Sequence, residues 1–130
     1  MHARKVIFTL LAVLVVLAVF VFRRWQEPQR GEAFDRTPQK LFYTKHARCR
    51  MNCRQISEQD VRLIMKKGII NFSKSNRTGR PCPTYALQGV TPDGESLRVV
   101  FAQCDEETKV VTCYNLKKDF NCYCPGDENK

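Results

Sequence analysis

Seven cysteines, at positions 49, 53, 82, 104, 113, 122 and 124, hold most of the chemical potential in this 130-residue chain. Cys49 and Cys53 stand four apart, which on a helix puts both sulfurs on one face, one turn from each other. Cys122 and Cys124 bracket a single residue far downstream. If the two pairs meet, two chemistries are open to them. Four thiolates suit a tetrahedral structural zinc, which favours soft sulfur ligands. The same sulfurs could instead close two disulfides, the form expected of an exported domain. Neither spacing is the Cys-x2-Cys of common zinc sites, so both chemistries remain open. Cys113, within Val110-Val111-Thr112-Cys113, reads as a buried small apolar residue. The odd total leaves at least one thiol unpaired unless it bridges chains.

His46, Arg50 and Arg54 recur at helical spacing and form one stripe. An imidazole beside two guanidiniums suits work on a phosphodiester. The ring could move a proton while the arginines hold the phosphate and stabilise developing charge. Arg98 and Tyr85, on strands further along, are candidates to complete such a site. The plainer alternative has His46 capping or packing, with the arginines paired to Glu58, Asp60 or the acidic turn Asp105-Glu106-Glu107. No glycine-rich phosphate loop, Ser-His-Asp set or paired-carboxylate motif is present.

These residues need a scaffold, and the charge distribution shows where it begins. Residues 1–43 carry seven Lys/Arg against three acids, residues 44–80 ten against two, and residues 81–130 five against eight. The basic excess of the chain therefore sits in the first half of the folded region. It could draw phosphate groups of nucleic acid or lipid, or simply be a solvated face. Upstream, Val6–Phe22 is an apolar run broken only by Thr9, about 25 Å long as a helix and at the short end of what spans a bilayer. Lys5, Arg23 and Arg24 can snorkel from its ends, and Trp25 suits the interface. A cleaved signal peptide would need a small-x-small site close behind the run, and the nearest, Gly31-Glu32-Ala33, is distant. The expectation is a single-pass membrane anchor over 1–24, a polar linker over 25–40 and a cysteine-rich domain over 41–130. The arginines after the run argue for a cytoplasmic domain, and the short cationic amino-terminal tail for an external one. The domain is placed outside the cytoplasm on the second ground.

Within the domain, a helix is expected over Thr44–Arg54. A second starts at Ser57, in a Ser-Glu-Gln-Asp capping box with Ile56 stapling onto Val61, and ends at Gly68. Val61, Ile64 and Met65 form its apolar stripe. Strands follow at Ile69–Phe72, Tyr85–Thr91, Ser96–Ala102 and Lys109–Leu116. A polar loop over Ser73–Pro83 separates the first two, and Pro92-Asp93-Gly94 turns the central hairpin. The fold class is α+β, two helices and then a four-stranded antiparallel meander, preceded by one transmembrane helix.

Tyr43-Thr44-Lys45-His46-Ala47, Arg50-Met51, Arg54, Ile56-Ser57, Asp60-Val61, Gly68, Tyr85-Ala86-Leu87-Gln88-Gly89, Asp93-Gly94, Leu97–Ala102 and Val110-Val111-Thr112 occur in an order that resembles the family of domain of unknown function 4258, over about residues 42–120. That family's layout is similar to small ribonuclease toxins of the RelE and BrnT kind. The resemblance implies a metal-independent ribonuclease or RNA-binding role, with His46, Arg50, Arg54 and Arg98 as the residues concerned. The anchor and Cys122-x-Cys124 are not expected of a free cytosolic toxin. The first functional expectation is therefore a membrane-anchored binding or structural module, not an enzyme, whose protein partner the sequence does not identify. The nucleic-acid role is the alternative.

Overall fold

The computed structural model describes residues 1–25 and 34–127. Two compact units divide the chain, 1–33 and 34–130. The first unit holds α1, His2–Trp25. Over His2–Arg23 its mean hydropathy is 2.9, so it is long and apolar enough to cross a membrane. Gly31-Glu32-Ala33 lies outside the described residues, as does the linker from 26 to 33.

The second unit begins at Phe34, within the stretch expected to be linker. Phe34 is 3 % exposed, and its ring packs 5.4 Å from Tyr85 and 5.3 Å from Phe101. Two residues on, the Arg36 guanidinium donates to the carbonyls of Met65, Lys66 and Gly68 at 3.1, 3.0 and 2.9 Å. Those carbonyls end a helix and have no partner within it, so Arg36 satisfies them. The segment from Phe34 to Gln39 thus belongs to the folded domain.

The elements that follow are β1 (Lys40–Tyr43), α2 (Lys45–Cys53), α3 (Glu58–Lys67), β2 (Ile69–Asn76), β3 (Thr84–Val90), β4 (Ser96–Cys104) and β5 (Glu107–Asn115). They form a five-stranded mixed sheet in the order β1-β5-β4-β3-β2. The antiparallel meander β2–β5 is present, but the expected four strands become five. β1 precedes α2 and α3 and pairs parallel to β5, Lys40 opposite Glu107 through Tyr43 opposite Val110. Four residues of alternating exposure are too short a pattern to mark a strand, and a partner 67 positions away leaves no local trace. β2 also runs further than expected, to Asn76, with an irregularity after Asn71.

Both helices cover one face of the sheet. Ala47 and Met51 of α2, and Val61, Ile64 and Met65 of α3, pack on Tyr85, Leu87, Leu97, Val99, Phe101, Val110 and Cys113. Alternation along β4 buries Leu97, Val99 and Phe101 and turns Arg98 and Val100 to the opposite face. The capping box forms as expected: Ser57 Oγ accepts from Asp60 N at 3.1 Å and Asp60 Oδ2 from Ser57 N at 2.9 Å. At the end of α3, a Cβ on Gly68 would run into the carbonyl of Ile64, so this crossing requires glycine.

Candidate functional site

Thr44 fixes the start of α2 against the sheet. Its hydroxyl accepts from Ala47 N at 3.0 Å and donates to Val111 O at 3.2 Å, and its own N–H donates to Val110 O. With Ala47 and Met51 turned into the core, His46, Cys49, Arg50 and Cys53 occupy the helix's other side. Along that side the segment after β5 runs back, antiparallel to α2. Cys122 bonds Cys53 and, one helical turn earlier, Cys124 bonds Cys49. Pro125 and Gly126 then form a turn closed by Asp127 N–H donating to Cys124 O at 3.1 Å, with Gly126 at φ +95°.

The turn delivers polar groups onto the basic stripe. His46 Nδ1 lies 2.8 Å from Pro125 O, an acceptor, so this nitrogen carries the proton. Nε2 is then the acceptor and receives Arg50 Nε–H at 3.3 Å. Arg50 also donates to Cys122 O at 3.4 Å and forms an ion pair with Asp127 at 2.5 Å. The other Asp127 oxygen accepts from Cys124 N at 2.9 Å. That backbone hydrogen bond, with the charge of Arg50 behind it, holds the Asp127 carboxyl below its ordinary range. Both ring nitrogens of His46 and the guanidinium of Arg50 are thus engaged.

The rest of the expected phosphate site is dispersed. Arg54, at the C-cap of α2, donates to Cys113 O and stacks 4.8 Å over the Tyr114 ring, past the end of the short β1. Arg98 sits on the far face of the sheet. There the Gln88 amide, with its carbonyl toward β4, accepts from the Arg98 guanidinium at 2.7 and 2.8 Å. Tyr85 is a core residue against Phe34. Of the four candidates His46, Arg50, Arg54 and Arg98, the structure brings together only His46 and Arg50. The expected acidic partners also differ: Glu58 pairs with Arg48 at 3.3 Å and Asp60 is occupied by the capping box. Asp127, which nothing in the sequence ranked, is the anion that Arg50 holds.

Each of Cys49, Cys53, Cys122 and Cys124 is bonded to another sulfur and offers no thiolate, which a zinc requires. Among the described residues no three His, Cys, Asp or Glu side chains group as a metal site. A third disulfide, Cys82–Cys104, closes the open end of the β3–β4 hairpin. The register foretells it: Thr84 faces Ala102, and extending the pairing two residues outward sets Cys82 opposite Cys104. Cys113 is the one free thiol, fully buried, and burial pushes its pKa up to about 11. Thiol titration of the oxidised protein should therefore find no reactive group in the native state and one after unfolding. Seven should appear after reduction. Five thiols in unfolded, chelator-treated protein without reductant would instead mean that the four clustered cysteines had been thiolates around zinc.

The model of the family described as Domain of unknown function (DUF4258) matches residues 43–115. Comparisons with curated proteins and with solved structures return no match. The matched span opens on the last residue of β1, closes on the last of β5 and takes in both helices and the whole meander. α1, Cys122 and Cys124 fall outside it. With more than half its length inside the match, the chain belongs to the DUF4258 family.

Proposed function

We propose that this protein is a single-pass membrane protein whose folded domain lies outside the cytoplasm and serves as a binding or structural module, not as an enzyme. The clasp of the post-β5 segment onto α2 carries the reading. Two disulfides there, with a third across the hairpin, fit an oxidising compartment. The same clasp occupies the groups that phosphodiester chemistry would need. A histidine with one nitrogen on a backbone carbonyl and the other on an arginine has no free site for a substrate proton. α1 supplies the tether.

The basic excess of residues 44–80 favours RNA binding or cleavage as the second reading. Two measurements separate them. A reporter active only outside the cytoplasm, fused after residue 130, should be active, and one active only inside should be silent. The reverse result would remove the compartment argument. In an RNA cleavage assay, the oxidised full-length protein, His46→Ala and Arg50→Ala should all show the same background. A loss of activity in either variant would overturn the non-enzymatic reading.

A further inference from the structure

The side chains of His46 and Arg50 hold a carboxylate that the protein itself supplies. Arg50 Nη2 meets Asp127 Oδ1 at 2.5 Å, with the Arg50 side chain only 15 % exposed. His46 stands behind it, orienting the guanidinium through Nε2. Beyond Asp127, the covering strap consists of two backbone carbonyls, Cys122 O on Arg50 and Pro125 O on His46. What fixes the strap in place is covalent: Cys53–Cys122 at one end and Cys49–Cys124 one helical turn away. We propose that α2 carries an oxyanion-binding site for phosphate, occupied by Asp127 while the two disulfides stand and opened to external phosphate when they are reduced.

The argument is one of competition. A group tethered beside its site acts as if present at a concentration on the order of millimolar or above, so an external anion of millimolar affinity is shut out. Cutting the tether leaves the donors intact and removes the competitor. A phosphate oxygen pair can take the place of the Asp127 carboxylate on Arg50, since the guanidinium fork fits both. Phosphate also brings more charge than the carboxylate it replaces. Cys49, Cys53 and Cys122 are each partly exposed, so both bridges can be reached from solution.

The opening step requires a dithiol. Its thiolate attacks one sulfur of a bridge, the sulfur–sulfur bond breaks, and one cysteine leaves as thiolate and takes up a proton. The dithiol's second sulfur then displaces the other cysteine. Two electrons enter the bridge and the reductant departs as its own cyclic disulfide. The second bridge follows in the same way. The proposal concerns what α2 binds once uncovered and is independent of the side of the membrane on which the domain lies.

The test uses the full chain in detergent micelles and inorganic phosphate as probe, with binding read by titration before and after treatment with a dithiol. Reduction should tighten phosphate binding about tenfold, a coupling of ordinary size. The gain should vanish in Arg50→Gln. A second arm with a short RNA oligonucleotide separates free phosphate from a phosphodiester as the preferred form. Because a dithiol also cuts Cys82–Cys104, the serine variant at 49, 53, 122 and 124, which keeps that bridge, is titrated alongside with circular dichroism to report folding. A folded serine variant that binds phosphate no better than the oxidised protein would overturn the proposal, and so would a gain that survives Arg50→Gln. If the serine variant does not fold, oxidised Asp127→Asn decides. A gain there supports the site, and unchanged binding removes it.

Discussion

Removing both bridges to α2, with serine at 49, 53, 122 and 124, should lower the unfolding free energy of the domain by about 6 kcal/mol, while removing either bridge alone should cost only about 2 kcal/mol. The asymmetry follows from nesting. Cys49–Cys124 spans 75 residues and Cys53–Cys122 spans 69, and the second loop lies inside the first. While one bridge stands, the long loop stays closed, and the other contributes only the small ring through 49–53 and 122–124. Only when both are gone does the unfolded chain recover the freedom of a loop of some seventy residues. A loss of this size rivals the whole stability of a small domain. Urea unfolding of the full chain, followed by near-ultraviolet circular dichroism, gives the three values. Single-bridge losses that add up to the double loss would mean that the bridges act independently, contrary to the nested arrangement.

Phe101→Ala should cost about 4 kcal/mol, the largest effect expected of any single substitution in the domain. Phe101 is fully buried at the middle of β4 and touches the ring of Phe34. Truncation leaves a phenyl-sized cavity and removes one of the two rings that hold Phe34 in place. The Phe34→Ala and Phe101→Ala losses should accordingly be non-additive, because the two residues share a contact. Val100→Ala, one position away on the opposite face, should cost less than about 1 kcal/mol and serves as the control. Equal losses at 100 and 101 would contradict the assignment of the two faces of β4.

Features with a local cause could be read from the sequence. Ser57 and Asp60 sit three apart, and the box they form needs nothing beyond one turn of helix. The turn at Pro92-Asp93-Gly94 sets the β3–β4 hairpin, and the apolar stripe Val61, Ile64, Met65 names the inner face of α3. Illegible features depend on distant partners. β1 is a strand only because β5 lies beside it, and Phe34 belongs to the core only because Phe101 and Tyr85 await it. The site divides along the same line. Helical spacing puts His46 and Arg50 on one stripe, and the strap brings both under one cover. The same spacing overreached with Arg54, which turns away at the helix end toward Tyr114, and strand alternation carries Arg98 to the other side of the sheet. Asp127 could not be found from spacing, since its role comes from disulfides that link residues some seventy positions apart.

The strap also sets an order of events in the making of the protein. Cys49 and Cys53 leave the ribosome early, but their partners follow β5, so neither bond can close until every strand of the sheet has been synthesised. Meanwhile Cys82 and Cys104 emerge, with sulfurs that a hasty oxidation could join to the waiting pair on α2. The hairpin works against that error, because its tight turn brings Cys82 and Cys104 face to face as soon as β4 is complete. A chain released after Asn115 would hold α2, α3 and all five strands yet lack the two disulfides that clasp α2. Such a product could be told from a finished one by its two unpaired thiols on a helix surface.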